Sequence, residues 1–378
     1  MAFEYSRSMQ LLIPSNVADR GGLTGFQIDS AFIFETSGDY VGTRFVSPVS
    51  QTSGTLSVYA YVTADNGQAN TDFNVQVRNG PTASGDSDRP EAGGSTIGTM
   101  GTAIDLNGVG AGWATFSDIT ALTLAVNSVY YAIVENKAVT PGTEHATICR
   151  RGAMDGNYGS SGFAHVLCRL VYNTNGFAAD PNLGFISPVI VEFDGGHASG
   201  EVIGNPYIDT VSLTSSTNYR GNQLKFDTDV IVSGVWFEDA GSAYASGTVG
   251  IYDTSGNELG LSETSINYVQ RNEKVAVRFT PFTISAGTVV NVVAKPGSSD
   301  PGAAIYTMGS GTIPAAVKAC GVPNAGFVNA STTAGLTATL NTEQLSPLGL
   351  IVDNFPTVAG GGGSASVLGQ VGLKGGMQ

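Results

Sequence analysis

The chain of 378 residues repeats itself, and this repetition limits its fold more than any other feature of the sequence. Five stretches of the first half recur in the same order in the second half. The matched stretches begin at Ile28 and Ile208, Ser53 and Ser233, Thr120 and Thr280, Pro141 and Pro301, and Ile186 and Leu345. The offset between partners falls from 180 to 159 positions as loops shorten. The sequence therefore predicts a tandem duplication of one folding module.

The main difference in length between the copies lies in the stretch Asn79 to Gly112. The second copy has a shorter stretch here, from Ser255 to Lys274. Long irregular insertions on a repeated scaffold often carry specific contacts. A tolerated surface loop explains the insertion equally well, so both interpretations stay open.

The last strand of each copy shows which face is kept between the copies. "ISPVIVEFD" starts at Ile186 and "LSPLGLIVD" starts at Leu345. One face consists of Ser187, Val189, Val191 and Phe193, with the counterparts Ser346, Leu348, Leu350 and Val352. On the other face Ile190 becomes Gly349, and Glu192 becomes Ile351. Because side chains alternate across a strand, the kept face is predicted to face the core, and the face of Ile190 to tolerate loss of bulk.

A second repeated pattern places a turn between two alternating apolar stretches. The turn falls at Asn127–Ser128 in the first copy and at Gly287–Thr288 in the second, which predicts a β-hairpin in each. Only 13% of residues are charged and 51 are glycine, so the sequence lacks the composition of helices. We therefore predict an all-β fold with two tandem duplicated antiparallel β-sandwich or jelly-roll domains, flanked by non-repeated arms.

The limits of the repeat predict the domain organisation. In order, the predicted parts are an N-terminal arm (1–24), a first sandwich (25–195), a linker (196–206), a second sandwich (207–358) and a Gly-rich tail (359–378). The linker contains the turn-prone sequence "GHASGEVIGNP". Domain boundaries usually fall in such Gly-rich stretches.

Charge and hydropathy argue against two classes of partner. The net charge is −14 and the basic residues are scattered, which argues against nucleic-acid binding. The sequence has no run of 18 apolar residues, and its first residues do not resemble a signal peptide, so we expect neither a membrane span nor export.

Three cysteines make an odd number, which favours folding in a reducing cytosol over a disulfide framework.

A zinc site is one interpretation of the cysteines and histidines. His145, Cys149, His165 and Cys168 supply the ligand types of a Cys2His2 site. Their spacing differs from that of a zinc finger, and on a strand His165 and Cys168 would point to opposite faces. Small buried cysteines in a sandwich core explain the pattern better. We therefore predict no metal site and no cofactor.

Catalytic motifs are not recognisable in the sequence. Glu192 and Asp194 share a strand face, but Ile351 replaces Glu192 in the second copy, which is unlike a glycosidase pair. The chain also lacks a nucleophile elbow and a phosphate-binding glycine loop. The sequence therefore predicts no catalytic residues, and a protein that is not an enzyme.

Two further residue patterns have a binding interpretation beside a structural one. The stretches "TADNGQ" at Thr63 and "YDTSGNELG" at Tyr252 supply side-chain oxygen ligands in tight turns, as calcium-binding loops do. Ordinary Asx-type turns are the simpler explanation. Aromatic residues able to stack on sugars are Tyr59, Tyr61, Trp113, Tyr158 and Trp236. In a β-protein of this size, most such aromatics are expected to pack in the core or across strands.

The stretch "VRFTPFTISAGTVVNVVAKPG", from Val277 to Gly297, resembles a recurring bacterial and phage β-sandwich module. The first copy departs from the pattern by placing Asn-Ser at the turn in "LTLAVNSVYYAIVENK". Such modules occur in tailed-phage virion proteins and in secreted carbohydrate-binding proteins. The resemblance implies a family of architectures and no functional residues.

These features together predict a non-enzymatic structural protein of a bacteriophage virion, such as a head decoration, a fibre or a tail-associated subunit. Its expected partners are other virion proteins, further copies of itself and host surface glycans, with assembly in the host cytoplasm. One alternative is a free carbohydrate-binding or adhesin module. Another is a polysaccharide-degrading enzyme.

The C-terminal tail is the predicted partner-binding segment. Four consecutive glycines, Gly360 to Gly363, form a flexible tether. Beyond them the apolar residues Val367, Leu368, Val371 and Leu373 stand between further glycines. Such a segment cannot build its own core, so we predict that it docks on a neighbouring subunit, for example by adding to a sheet edge. A tail folded back on its own domain is the alternative.

Overall fold

The structure is a computed structural model of the chain. It describes residues 31–33, 38–47, 50–65, 72–79, 95–99, 104–105, 110–126, 128–136, 146–149, 151–152, 169–173, 185–186, 189–194, 201–203, 206–207, 209–212, 217–226, 229–238, 247–260, 264–266, 274–296, 304–319, 321, 325–337, 341, 343–346 and 348–354. The predicted tail anchors Val367, Leu368, Val371 and Leu373 lie outside the described residues.

The described residues fall into two compact units. The first-copy unit contains those within Gln27–Ile208 and Met308–Cys320. The second-copy unit contains those within Asp209–Thr307 and Gly321–Gln378. The Met308–Cys320 segment thus belongs by sequence to the second copy and by contact to the first-copy unit. The predicted domain ranges stay predictions, which fragments expressed separately would test.

Fourteen described strands build the first-copy unit. They are β1 (Ala31–Ile33), β2 (Tyr40–Val46), β3 (Gln51–Asp65), β4 (Asp72–Asn79), β5 (Thr96–Thr99), β6 (Ile104–Asp105), β7 (Gly112–Leu124), β8 (Val129–Asn136), β9 (Ala146–Cys149), β10 (Arg151–Gly152), β11 (Arg169–Asn173), β12 (Phe185–Ile186), β13 (Ile190–Asp194) and β14 (Glu201–Ile203). One antiparallel sheet has the order β1-β9-β3-β13-β14, with β7 also paired to β3. The other has the order β10-β12-β11-β2-β8-β4-β5, with β6 paired to β4. Strand β14 lies within residues 196–206, which the sequence suggested as a linker, and pairs with β13.

Eleven described strands build the second-copy unit. They are β15 (Asp209–Ser212), β16 (Tyr219–Lys225), β17 (Val230–Glu238), β18 (Gly247–Tyr252), β19 (Thr264–Ile266), β20 (Lys274–Ile284), β21 (Val289–Pro296), β22 (Ala304–Thr307), β23 (Ala325–Ala330), β24 (Gln344–Leu345) and β25 (Leu348–Asn354). They form antiparallel sheets with the orders β19-β18-β21-β16-β23, β20-β17-β25 and β15-β22-β24.

Strand order confirms the duplication and the all-β fold class. The order β11-β2-β8-β4-β5 in the first-copy unit matches β23-β16-β21-β18-β19 in the second-copy unit. The order β7-β3-β13 matches β20-β17-β25 in the same way, and the pair β1-β9 matches β15-β22. Every one of these pairings is antiparallel.

The predicted hairpins are wrong in one respect. The two strands joined by each turn do not pair with each other but belong to different sheets, so we call each turn a corner between two sheets. Strand β7 pairs with β3, whereas β8 pairs with β2 and β4 in the other sheet. Strands β20 and β21 are divided between sheets in the same manner. Alternating apolar residues on both sides of a tight turn are compatible with either geometry, because alternation reports a strand's faces and not its neighbours.

The cores lie between the sheets of each unit. In the first-copy unit, Phe45 of β2 meets Phe193 of β13 edge to face, with ring centroids 6.0 Å apart. In the second-copy unit, the fully buried side chain of Asn222 on β16 reaches the chain entering β25. It donates to the carbonyl oxygens of Ser346 (2.9 Å) and Leu348 (2.6 Å) and accepts from the N–H of Ser346 (2.8 Å).

The face assignment in the last strand of the first copy needs a correction. Val189, Val191 and Phe193 are fully buried, as predicted for the core face. Ile190 on the opposite face is also fully buried, although the sequence comparison predicted a site that tolerates loss of bulk. The reason is that residues of Met308–Cys320 pack over this face of β13. Gly349 in the second copy therefore does not show what position 190 tolerates.

Helices are short in the described part of the chain. Helix α1 (Ala315–Ala319) lies in the Met308–Cys320 segment, and a 3-10 helix spans Thr333–Thr337. Among the described residues, no helix has the length and apolar character needed to cross a membrane.

Candidate functional site

Three aromatic side chains lie together on one sheet face of the first-copy unit. The alternation of "VYAYV" along β3 places Tyr59 and Tyr61 on the same side of the sheet. Their register partners are Ile190 on β13 and Trp113 on β7. The rings of Tyr61 and Trp113 meet edge to face with centroids 5.5 Å apart. We call the surface formed by Tyr59, Tyr61, Trp113 and Ile190 the Tyr61–Trp113 face.

The Met308–Cys320 segment covers this face. Ala316 and Val317 of α1 belong to the same buried cluster, and Ile313 packs against it, as does Val202 of β14. Val317 has no exposed surface. Apolar burial of a valine side chain of this kind contributes about 1.5–3 kcal/mol.

Three hydrogen bonds fix the segment on the face. The indole N–H of Trp113 donates to the carbonyl oxygen of Met308 at 2.7 Å. The hydroxyls of Tyr61 and Ser310 share a hydrogen bond of 2.9 Å, and the N–H of Ser310 donates to the Tyr61 hydroxyl at 3.0 Å. The polar ends of two aromatic side chains thus bind the backbone and one hydroxyl of the segment.

Glu192 lies beside this face and takes part in a structural contact. The hydroxyl of Tyr59 donates to Oε2 of Glu192 at 2.5 Å. The side chain of Asp194, the other residue of the carboxylate pair, lies outside the described residues. The carboxylate of Glu192 is therefore placed by a tyrosine of the same sheet.

The aromatic residues that suggested sugar stacking divide into two groups. Tyr59, Tyr61 and Trp113 are at most 8% exposed, which confirms the core interpretation for these three. Trp236 lies opposite Gly349 in the strand register, but its side chain is outside the described residues. Tyr158 also falls outside them.

The residues of the zinc interpretation lie largely outside the described part of the structure. Cys149 ends β9, and its side chain lies outside the described residues, as do His145, His165 and Cys168 altogether. In the part of the chain that is described, no three His, Cys, Asp or Glu residues come close enough together to hold a metal ion.

The turn that follows β18 is an Asx-type turn, as the sequence suggested. Oδ1 of Asp253 accepts from the N–H groups of Ser255 and Asn257, each at 2.8 Å, and Oδ2 accepts from the side-chain amide of Asn257 at 2.9 Å. The Asn257 side chain, its N–H and the N–H of Ser255 hold the pKa of Asp253 below its usual value, against a smaller opposing effect of burial. The carboxylate stabilises the turn with both oxygens engaged. The side chains of "TADNGQ" lie outside the described residues.

Sequence reasoning missed the covering of the Tyr61–Trp113 face. The signal was present in "GTIPAAVKA", Gly311 to Ala319, an apolar stretch with helix-forming alanines inside a strand-rich copy. Its partner could not be read from the sequence, because the contact joins residues about 200 positions apart, as between Trp113 and Met308.

Comparisons with known proteins give weak likenesses. No protein family and no curated protein matches the sequence. Among solved structures, the N-terminal CBM22-1-CBM22-2 tandem domain of Xyn10C from Paenibacillus barcinonensis is 11% identical, with 82% of this chain and 93% of that chain covered and a TM-score of 0.19. A lectin from Pleurotus ostreatus in complex with GalNAc is 10% identical, with 87% and 95% covered and a TM-score of 0.17. Likenesses of this size establish neither a shared fold nor a shared ligand.

Proposed function

We propose that this protein is a non-enzymatic binding protein that serves as a structural subunit of a bacteriophage particle, on its head or tail. The non-enzymatic part rests on one observation: polar side chains of the strands and turns form hydrogen bonds within the fold. Glu192 binds Tyr59, Asp253 closes its own turn, and Asn222 binds the chain that enters β25. Each of these groups stabilises the fold.

A role in an assembly agrees with several features of the chain. A duplicated module presents two related sets of strands and loops, so one chain can contact an assembly at two points. The stretch Val277 to Gly297, which resembles the bacterial and phage β-sandwich module, includes the corner between β20 and β21. The first copy has the equivalent corner between β7 and β8. The proposed location is the virion, after assembly in the host cytoplasm.

Particle assembly tests this proposal directly. Full-length protein, expressed together with the other particle proteins of the same virus, should co-purify with particles at a fixed copy number. A chain that ends at Val358 should keep its β-type circular dichroism and lose incorporation, if the tail with Val367 and Leu373 is the docking segment. Incorporation of the shortened chain at full occupancy would disprove the role of the tail. Absence of the full-length protein from purified particles would disprove the structural role itself.

Glycan binding is the second candidate function, and the duplication favours it. Two copies of one module on one chain can engage a repeating polymer at two points, which raises apparent affinity without any new contact. A glycan array that includes GalNAc and plant and bacterial polysaccharides would detect such binding. Reproducible binding by protein that never associates with particles would make the free carbohydrate-binding module the better interpretation.

The enzymatic alternative has its own readout. Polysaccharides that bind the protein are incubated with it, and new reducing ends are measured over time. We expect no release above that of heat-denatured protein. Steady release that depends on protein concentration would overturn the non-enzymatic proposal, whatever the result with particles.

A further inference from the structure

We propose that the Tyr61–Trp113 face is a peptide-docking site, and that a second copy of the chain can supply the Met308–Cys320 segment that it binds. The proposal goes beyond the role in a particle, since it names a site, its ligand and the partner that carries the ligand. It rests on how the face and the segment recognise each other, on their distance along the chain, and on the residues at which the segment begins.

Recognition at this face has the chemistry of peptide binding. The indole N–H of Trp113 donates to a backbone carbonyl oxygen. The hydroxyl of Tyr61 accepts from a backbone N–H and shares a hydrogen bond with a serine hydroxyl. Val317 then inserts as a fully buried aliphatic anchor, with Ile313 beside it. Backbone hydrogen bonds combined with a side-chain anchor are the usual basis of affinity and specificity for short peptides. The ligand class is therefore a short peptide with a small hydroxyl residue followed by branched aliphatic residues.

The Met308–Cys320 segment and the face that it covers are far apart in the sequence. Ile190 of β13 is the last residue of the face along the chain, and the segment begins only at Met308, after β22. Any chain that presents the same residues makes the same three hydrogen bonds and buries the same apolar groups. Intramolecular and exchanged forms thus contain the same contacts in the docked site, and protein concentration and the connecting residues decide between them.

The start of the segment allows the chain to take a different direction. Gly309 and Gly311 adopt φ values of +90° and +83°, a region that glycine enters at little cost. Ser310 between them makes the contacts with Tyr61. Changes of backbone direction at these two glycines would redirect the segment toward another molecule without strain in a side-chain-bearing residue.

Binding of a synthetic peptide tests the site. In the acceptor protein, residues Met308 to Ala319 of the full chain are replaced by a Gly/Ser linker of equal length, so that its own contacts with Trp113 and Tyr61 are removed as well. A peptide covering residues 308–320, with Cys320→Ser, should bind it saturably, as followed by calorimetry and by tryptophan fluorescence. Peptide carrying Val317→Asp should not bind. Should the linker variant fail to fold by circular dichroism, full-length protein with Val317→Asp serves as the acceptor.

Two matched tyrosine variants of the acceptor separate recognition from general stability. Tyr61→Phe removes the hydroxyl that binds Ser310 and should weaken peptide binding roughly tenfold, the effect of one or two net hydrogen bonds. Tyr130→Phe removes a hydroxyl of the same unit that lies outside the face and accepts from the N–H of Ala125, and should leave the affinity within about twofold. Equal effects of the two changes would contradict the assigned contacts.

Exchange between copies has a separate readout. A tagged acceptor is mixed with wild-type protein at rising concentrations, and native mass spectrometry counts the species. We expect a 1:1 complex that grows with concentration and disappears when the wild type carries Val317→Asp. A folded acceptor that binds no peptide overturns the site, and one that binds peptide without ever pairing with wild-type protein overturns the exchange. Neither result depends on particles, so failure here leaves the proposed structural role untouched.

Discussion

The carboxylate of Asp229 accepts a hydrogen bond from the backbone N–H of Ala286 at 2.8 Å, and so ties the start of β17 to the corner between β20 and β21. The first copy repeats the contact with different side chains. There the hydroxyl of Ser50 accepts from the N–H of Val126 at 3.1 Å. Both corners also close with a backbone hydrogen bond, from Ser128 to Ala125 and from Thr288 to Ser285.

These side chains are therefore expected to stabilise the corners. Asp229→Ala should lower the free energy of unfolding by about 1 kcal/mol, the usual effect of losing one such hydrogen bond. Asp229→Asn keeps an acceptor oxygen and should cost less. Denaturant unfolding of both variants gives the comparison, with Ser50→Ala as the equivalent change in the first copy. An alanine variant as stable as wild type would show that the contact does not support the corner.

Two equivalent glycines should not tolerate any side chain. Gly42 pairs with Ile133, and Gly221 pairs with Val293, at the same place in each copy. A Cβ at Gly42 would overlap the carbonyl oxygen of Ala132, and one at Gly221 would overlap that of Val292. Since backbone of a central strand has to move, we expect alanine at either position to cost about 3 kcal/mol or more.

A glycine in the corner provides the control for this prediction. Gly287 has a φ of +78°, and no atom lies within 4 Å of the position that a Cβ would take. Alanine there meets only backbone strain and should cost about 1 kcal/mol. Thermal unfolding of the three alanine variants ranks the two effects. If Gly287→Ala were the most damaging, close packing between strands would not be the reason for the glycines in β2 and β16.

How much of this fold the sequence predicted depends on the range of the contacts involved. The duplication, the strand class and the buried face of Val191 and Phe193 follow from local alternation that occurs twice. The division of β7 and β8 between two sheets does not, because alternation is the same in a hairpin and in a corner. The burial of Ile190 depends on residues of Met308–Cys320, and nothing near Ile190 in the sequence indicates them.

The candidate site was predictable in its residues and not in its role. Tyr59, Tyr61 and Trp113 stand out in the sequence as aromatic residues on strands. Whether such residues face solvent, a ligand or another part of the chain is decided by what covers them. Here the cover is Met308–Cys320, whose contact with Trp113 spans 195 positions.

Asn222 is expected to be the most sensitive buried polar residue of the second-copy unit. Its side chain has no exposed surface and makes three hydrogen bonds to backbone groups of Ser346 and Leu348. Asn222→Ala would remove three hydrogen bonds from buried backbone groups, at a cost of about 2–4 kcal/mol. Asn222→Leu, of similar size, should be no better, because it also lacks donors and acceptors. Chemical denaturation measures both, and Gln223→Ala on the same strand, a half-buried site, serves as the milder control.

The stability of the protein is expected to depend on pH in the acid range because of Asp253. Hydrogen bonds from Asn257 and Ser255 lower its pKa in the folded protein from the usual 3.8. A lowered folded pKa means that the stabilisation is fully present above pH 3.8 and is lost as the pH falls through the folded value. Wild-type protein should therefore lose stability relative to Asp253→Asn as the pH falls below about 4. Thermal melts of both proteins across that range test the sign, and a constant difference would contradict it.

Ile190 provides the sharpest test of what covers the outer face of β13. It has no exposed surface and packs with Tyr59, Tyr61, Trp113 and Val317. Ile190→Asp would bury an unpaired charge and should cost about 4 kcal/mol or more, as much as Val191→Asp on the opposite face. Ile190→Ala should cost about 2–4 kcal/mol through the cavity it leaves.

An exposed residue of the same sheet completes this comparison. Thr123 of β7 is solvent-exposed, so Thr123→Asp should change the free energy of unfolding by no more than about 0.5 kcal/mol. Urea unfolding of the four variants gives the ranking. Ile190→Asp with the stability of Thr123→Asp would mean that the face of Ile190 is open to solvent, and the docking of Met308–Cys320 would then be wrong as well. Severe damage from both Ile190→Asp and Val191→Asp requires β13 to be covered on its two faces.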